Sequence, residues 1–124
     1  MVCMIKDRLK DYRVVSQECT QLENRIKRLE TMIRHGSPNQ THRLEGRYQD
    51  LVEELNRKLE RLLAGQRELE QILDGLEPEE RLVLRAYYIE GSKFEAVCKS
   101  VQYEAAQIYR IKKRALEKLE LNNK

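Results

Sequence analysis

The side chains of this 124-residue chain that are best suited to binding a polyanion are concentrated near its carboxyl end. Between Glu104 and Glu117 there are four basic residues and no acidic one. Residues 104–124 carry six basic and three acidic side chains, which accounts for the whole net charge of +3. This asymmetry is typical of a chain whose one end meets a polyanion such as DNA.

A helix through residues 104–119 would divide these side chains between two faces. Ile108, Ile111, Ala115 and Leu119 would share an apolar face that we expect to pack on preceding helices. The opposite face carries the candidate DNA-binding residues. They are Ala106, Gln107, Tyr109, Arg110, Lys112, Lys113 and Arg114.

Each candidate has a chemical reason to lie in a DNA groove. A small residue such as Ala106 lets a helix backbone approach a groove wall, and Gln107 and Arg110 can read base edges through paired hydrogen bonds. The three cations that follow are better placed for phosphates, and Tyr109 could contact a phosphate or a thymine methyl group. The alternative interpretation is a solvated helix face whose cations favour the helix C-terminus.

The segment after Gly75 predicts three short helices that would position this face. The first begins at Pro78, with acidic residues in its first turn, and ends at Gly91. The second runs from Lys93 to about Ser100, and the third runs from about residue 104 to residue 121. The last two are joined by about three residues, which is the helix-turn-helix layout.

The second of these helices has a sequence typical of a capping box. In Ser92-Lys93-Phe94-Glu95, the serine hydroxyl would accept from the backbone N–H of Glu95, and the glutamate would accept from the backbone N–H of Ser92. Residues 101–103 are too few for anything but a tight turn.

The first 75 residues predict a long helical hairpin. Apolar residues recur at steps of three and four over residues 5–33 and again over residues 44–73. Residues 35–42 are rich in turn formers, Thr41 is a candidate N-cap, and Gly75 would follow the second helix. The expected architecture is all-α, with an oligomerisation hairpin in residues 1–75 and a DNA-binding domain in residues 76–124.

Two long helices alone would leave much of their apolar stripes in water. We therefore expect residues 5–73 to associate with a second copy, as a homodimer with a four-helix arrangement. The alternative is that the hairpin folds back on the C-terminal helices of its own chain.

Residues 76–119 resemble the C-terminal promoter-reading domain of bacterial sigma factors. The resemblance is carried by LEPEERLVL, YYIEG, VCKSVQYE, QI and KRAL, with Gln102 in place of the turn glycine and Glu104 in place of the capping serine. The whole chain resembles the sigma-like phage and prophage regulators related to the ArpU and RinA late-gene activators. This resemblance implies a DNA-binding transcription regulator that acts with RNA polymerase at promoters.

Other functions have weaker support in the sequence. There is no nucleophile motif and no phosphate-binding loop, so we expect no enzymatic activity and no cofactor. His35 and His42 lack partners at metal-ligand spacing. Three scattered cysteines and the absence of an apolar segment of membrane-spanning length predict a cytoplasmic protein with no membrane contact. The competing functions are a phage DNA-packaging small subunit and a helical assembly or interaction protein.

Overall fold

The computed structural model describes residues 5–35 and 42–122, and within these ranges it is all-α. A hairpin of two long helices is followed by shorter helices, which confirms the predicted fold class. The helices are α1 (Ile5–Arg34), α2 (His42–Asp74), α3 (Pro78–Leu84), α4 (Phe94–Val101) and α5 (Ala105–Asn122). Between α3 and α4 the chain makes a π-helical turn, Arg85–Ile89.

The described residues form two compact units, and the long helices contribute to both. One unit combines the residues up to Val14 with those from Gln66 onward, and the other comprises Val15–Gly65. The division therefore does not coincide with the boundary at residues 75 and 76 that the sequence predicts. The start of α1 and the end of α2 belong to the same unit as the short helices. The division at residues 75 and 76 into an oligomerisation hairpin and a DNA-binding domain stays a prediction about function.

The unit Val15–Gly65 is a helical pair with a narrow core. Leu22, Ile26 and Leu29 of α1 are buried with Leu55 of α2. Several apolar side chains of α2 that pack on this core stay only half-buried: Tyr48, Leu51, Val52, Leu59 and Leu62. The predicted N-cap, Thr41, lies outside the described residues.

The other unit packs the ends of the hairpin helices against the C-terminal helices. Its core joins Ile5 and Leu9 of α1 with the end of α2, the π-helical turn and α5. The further buried residues of this core are Leu69, Leu73, Leu76, Leu84, Tyr88, Ala115 and Leu119. In this unit the chain follows the fold-back alternative, because α1 and α2 both bury apolar side chains against helices of their own C-terminal segment.

A second cluster in the same unit forms the interior of the helix-turn-helix. Val83 of α3, Val97 of α4, and Ile108 and Ile111 of α5 are buried together. The predicted apolar face of the last helix is confirmed, because its four expected members are the buried residues of α5. The starts of the short helices are also close to those predicted, with Pro78 as the first residue of α3.

The predicted capping box at Ser92 is wrong. The N-cap of α4 is Lys93, which has no side-chain capping bond. The backbone N–H of Ser92 instead donates to the Ala86 carbonyl oxygen at 2.9 Å, closing the preceding helical segment. Gly91 makes this closure possible with φ of 71°, a conformation that glycine adopts at little cost. The Arg13 guanidinium occupies the space where a side chain at Gly91 would begin.

The tight turn before α5 depends on a residue that is poorly suited to it. Gln102 ends α4 with φ of 59° and ψ of 34°, in the left-handed region. Its N–H and that of Tyr103 donate back to the carbonyl oxygens of Lys99 and Cys98 at 3.4 and 3.1 Å. A side chain with a Cβ costs about 1–2 kcal/mol in this conformation, whereas glycine adopts it readily.

Replacing Gln102 with glycine should therefore raise the free energy of unfolding by about 1 kcal/mol, since it removes the left-handed strain at the turn. Urea denaturation followed by circular dichroism measures this. The matched control is Lys99→Gly within α4, which should lower the free energy of unfolding by about 0.5–1 kcal/mol. A Gln102→Gly protein no more stable than the parent would contradict the strain at this position.

Candidate nucleic-acid interface

The exposed surface of α5 has a continuous row of side chains at helical spacing. Ala106, Tyr109, Arg110 and Lys113 are all exposed and follow one another at steps of three, one and three residues. This spacing places them on one side of the helix. We call these four residues the α5 stripe. Four of the seven predicted DNA-binding residues thus lie together and face solvent, with Tyr109 at 64% exposure.

The start of α5 positions two polar side chains next to one another. Gln107 accepts a hydrogen bond from the backbone N–H of Glu104 through its Oε1 atom at 3.2 Å. This bond uses one polar atom of the amide and leaves its NH₂ group as a donor. Arg110 donates from Nε to the Ala106 carbonyl oxygen at 3.3 Å. Among the side chains that the structure describes, those of residues 5–35 and 46–122, no carboxylate forms an ion pair with Arg110.

Lys112 is directed away from this stripe, toward the π-helical turn. Its ammonium lies 3.8 Å from the centre of the Tyr87 ring and 5.5 Å from that of Tyr88. Such a cation–π contact contributes about 0.5–1 kcal/mol at an exposed site and more when water is excluded. The predicted phosphate ligand therefore also has an intramolecular role, because it attaches α5 to the turn that precedes α4.

Arg114 is also engaged within the protein. Its Nε donates to Glu80 Oε2 and its Nη2 donates to Glu79 Oε1, both at 3.0 Å. Lys118 donates to the other Glu80 oxygen at 3.0 Å. Both cationic side chains remain about half exposed, at 54% and 44%, whereas Glu80 has no exposed surface. Arg114 thus differs from Arg110 and Lys113, because a contact with DNA would compete with two carboxylates.

The buried Glu80 carboxylate stays ionised because its partners outweigh its burial. Burial raises its pKa, but hydrogen bonds from Lys118 and Arg114 and from the backbone of Glu77 lower it further, so the pKa lies below the ordinary 4.5. The bond from the Glu77 N–H, at 3.3 Å, also caps the start of α3. One carboxylate therefore links the first turn of α3 to the middle of α5.

An open groove runs beside the stripe between α5 and the start of α3. Tyr103 donates from its hydroxyl to Glu79 Oε2 at 3.0 Å across this groove. The hydrogen bond to Glu79, its negative charge and burial raise the pKa of Tyr103. Gln107 and Arg110 also line the groove. The acidic group lies at its α3 edge, so the attractive potential for a polyanion is greatest on the side of α5 that carries Arg110 and Lys113.

One comparison with known proteins gives a match. A model for a family described as proteins of unknown function, DUF1492, covers residues 27–120. The chain belongs to this family. The match begins at residue 27, near the end of α1, and runs through most of α5. The DUF1492 region therefore includes α2 and the helix-turn-helix but only the end of α1.

Neither the other comparisons nor the described residues identify a ligand of this DUF1492 protein. No curated protein and no solved structure matches the chain. In the described part, no helix is long and apolar enough to cross a membrane. Among the described side chains, no group of three or more histidine, cysteine or acidic residues is placed to hold a metal ion.

Two features of the interface were not predicted from the sequence of this DUF1492 protein. The acids after Pro78 were expected only to favour the helix N-terminus, yet one of them, Glu80, is the buried partner of Arg114 and Lys118. The π-helical turn has no recognisable sequence signal either. In addition, Lys93 and Lys99 at the two ends of α4 are exposed cations that were not included among the candidates.

Replacing Glu80 with glutamine should lower the free energy of unfolding at pH 7 by about 2–3 kcal/mol, because it removes charge-assisted hydrogen bonds while leaving a buried polar group. The folded-state pKa is depressed, so the contribution of the carboxylate is complete above its ordinary pKa of 4.5 and is lost as the pH falls through the lower folded value. The difference in the free energy of unfolding between the parent and the Glu80→Gln protein should accordingly narrow as the solution is acidified from about pH 5 to pH 3.

Urea denaturation over that pH range measures both effects. The matched control is Glu79→Gln, which removes the exposed carboxylate beside it and should cost less than about 1 kcal/mol. Equal stability of the Glu80→Gln protein and the parent at pH 7 would show that the buried carboxylate does not stabilise α5 on α3.

Proposed function

We propose that this protein is a sequence-specific, double-stranded DNA-binding regulator of transcription that acts in the cytoplasm and has no enzymatic activity. The observation that carries the proposal is the α5 stripe. It is an exposed row on the second helix of a helix-turn-helix, with a small residue near its start and two cations that have no carboxylate partner in the described chain.

Base reading is assigned to the N-terminal half of α5. Arg110 can donate two parallel hydrogen bonds to a guanine, and the free NH₂ group of Gln107 can donate to an acceptor on a base edge. The small Ala106 leaves room for the backbone to approach the floor of a major groove. A recognition helix reads bases with residues near its N-terminus, which is where these three lie.

We assign phosphate contacts to cations near the N-terminal half of α5. Lys113 lies one turn beyond Arg110 on the same side of α5, and Lys93 and Lys99 are exposed on α4. In helix-turn-helix proteins the first helix crosses the DNA backbone, so cations on α4 suit that role. Arg114 is left with a smaller part, because it is already paired with Glu79 and Glu80. Lys112 lies off the stripe, against the Tyr87 ring, and keeps a charge that no described carboxylate neutralises.

The resemblance to the promoter-reading domain of sigma factors supports promoter DNA as the target. It also supports a contact with RNA polymerase and a role as a phage or prophage activator of the ArpU or RinA type. The residues that carry this resemblance include LEPEERLVL, which forms α3, and YYIEG, which ends at Gly91. The first of these segments supplies the buried Glu80 that orients α5.

A homodimer through the hairpin, predicted over residues 5–73, is part of the proposal. The surface available for it lies within Val15–Gly65, because the start of α1 and the end of α2 are buried against the C-terminal helices of their own chain. The half-buried side chains Leu51, Leu59 and Leu62 of α2 leave apolar surface that the pairing of α1 and α2 does not cover. A second copy could bury this surface in a four-helix arrangement. Two copies related by a twofold axis would present two recognition helices, which suits an operator with two half-sites.

Replacing Arg110 with glutamate should abolish specific DNA binding, because a bidentate donor becomes an anion facing the bases. Genomic fragments of the source organism that the parent protein retains would supply the operator, and mobility-shift titration would measure the loss. Circular dichroism and sedimentation should remain as in the parent, since Arg110 is exposed.

The matched control is Arg57→Glu, the same charge change at an exposed position of α2 in the other unit. It should leave operator binding within about twofold of the parent at 0.15 M salt, where exposed charges farther apart than about 8 Å are screened. Normal operator binding by the Arg110→Glu protein would contradict the assignment of base reading to α5.

Sedimentation of the parent protein should give the mass of a dimer at micromolar concentration, because the apolar surface along α2 favours pairing of two copies. The mass distinguishes the competing functions. A closed ring of many copies would favour a DNA-packaging subunit, and a monomer at all concentrations would contradict dimerisation through residues 5–73.

A further inference from the structure

A small cationic pocket lies where the start of α1 meets the side of α5. Its lining residues are Lys6, Tyr109, Lys112, Lys113 and Leu116. Its volume is about 110 Å³. Pockets for drug-sized ligands are larger, at about 300–1,000 Å³, so this one suits a single small group and not a whole nucleotide.

The pocket brings together residues that are more than a hundred positions apart in the chain. Ile5 and Leu9 anchor the start of α1 in the same core as Ala115 and Leu119 of α5. The backbone N–H of Lys6 donates to Glu120 Oε1 at 3.3 Å. These contacts are within one compact unit, so the placement of Lys6 beside α5 is a property of its packed core.

The charge of the pocket is positive. Three lysines and one tyrosine are among its lining residues, and no acidic residue is. Asp7, Glu117 and Glu120 lie on an adjoining groove that shares Lys6 and Lys113. The Lys6 ammonium makes no ion pair with the described side chains of residues 5–35 and 46–122. A phosphate oxygen fits this environment, since lysine offers several donors to a compact anion and the tyrosine hydroxyl adds another.

The pocket is continuous with the α5 stripe. Tyr109 and Lys113 belong to both, and Lys112 and Leu116 follow on the neighbouring side of the helix. A helix that lies in a major groove has a phosphate backbone along each side. The side of α5 that carries Lys112, with Lys6 of α1 beside it, is therefore the one that would meet a sugar–phosphate strand when the stripe faces the bases.

Lys112 is held in place before any ligand arrives. Its ammonium rests against the Tyr87 ring at 3.8 Å. A side chain that is already ordered loses less conformational entropy on binding, which favours its use as a ligand. Lys112 and Lys6 line the same pocket.

We propose that this pocket binds a phosphodiester group of the DNA duplex, and that Lys6, on the first helix, is a DNA-contacting residue. The inference rests on the proposed function, because it assumes that the stripe faces the bases. It extends the interface from the helix-turn-helix to the opposite end of the chain. The ligand is a phosphate of the duplex and not a free phosphate ion, because the pocket is open to solvent and adjoins the base-reading side chains.

The test compares Lys6→Ala with Lys10→Ala in the full-length protein. Lys10 is an exposed lysine on the same helix, one turn further along, and does not line the pocket. Lys6→Ala should weaken binding roughly three- to tenfold, equally for operator and unrelated duplexes, since phosphates carry no sequence information. A plot of log affinity against log salt should become shallower by about 0.9 for each copy that loses its contact. Lys10→Ala should change neither quantity.

The outcomes separate this inference from the proposed function. If the parent binds DNA, Arg110→Glu loses binding, and Lys6→Ala behaves as Lys10→Ala does, then the pocket assignment is overturned while the function stands. If the parent does not bind DNA at any salt concentration, the function fails and the inference fails with it. A shallower salt slope that is specific to Lys6→Ala supports both.

A titration with inorganic phosphate distinguishes a site for a phosphate group of the duplex from a site for a free phosphate ion. Side-chain NMR signals of the lysines are followed during a phosphate titration without DNA. For a duplex phosphate site we expect no saturable binding below about 10 mM, because a single exposed contact is weak without the rest of the interface. Saturable, Lys6-dependent binding of free phosphate, together with an unchanged DNA salt slope in Lys6→Ala, would assign the pocket to a free anion and overturn the proposal.

Discussion

The orientation of α5 depends on one buried carboxylate. Glu80 has no exposed surface, and its two oxygens accept hydrogen bonds from Arg114 and Lys118. Separating this buried carboxylate from its half-exposed cationic partners would cost about 2–3 kcal/mol, so rotation of α5 about its axis is opposed. The same carboxylate caps the start of α3. The helix that carries the α5 stripe is thereby held in one rotational setting on α3.

This constraint divides the cations of α5 between two roles. Arg114 is drawn toward Glu79 and Glu80, and Lys112 rests on Tyr87. Arg110 and Lys113 keep their charge available to a polyanion. A run of like charges on a helix thus contains structural members and potential ligands. The partners of each cation on neighbouring helices, and not its position within the run, decide whether it is a structural residue or a potential ligand.

The unit that contains α5 is built from both ends of the chain. The start of α1 and the end of α2 bury apolar side chains against α3 and α5, and Arg85 of the π-helical turn pairs with Asp74 at 2.6 Å and with Glu70. The hydrogen bond with Asp74 raises the pKa of Arg85, while burial opposes it less strongly. The DNA-binding surface that we propose therefore includes a residue of the first helix, and the helix-turn-helix is not an independent module within this unit.

Local sequence patterns determined most of the helices. Apolar residues at steps of three and four predict α1 and α2, and Pro78, Gly75 and Gly91 mark boundaries that the structure confirms. These features act over a few residues, through backbone conformation and the helical repeat. The apolar face of α5 was predictable for the same reason, since burial follows the period of the helix.

Tertiary contacts decided the remaining features. Ser92 has the residue type of an N-cap, but its N–H is taken by Ala86 in the closure of the preceding turn. The π-helical turn, the burial of Glu80 and the packing of Ile5 and Leu9 on α5 depend on neighbours far away in the sequence. The sequence by itself determined which segments are helical and which face of each is apolar. Only the packed structure decided which charges are neutralised inside the protein, because Coulomb attraction depends on distances that the fold alone defines.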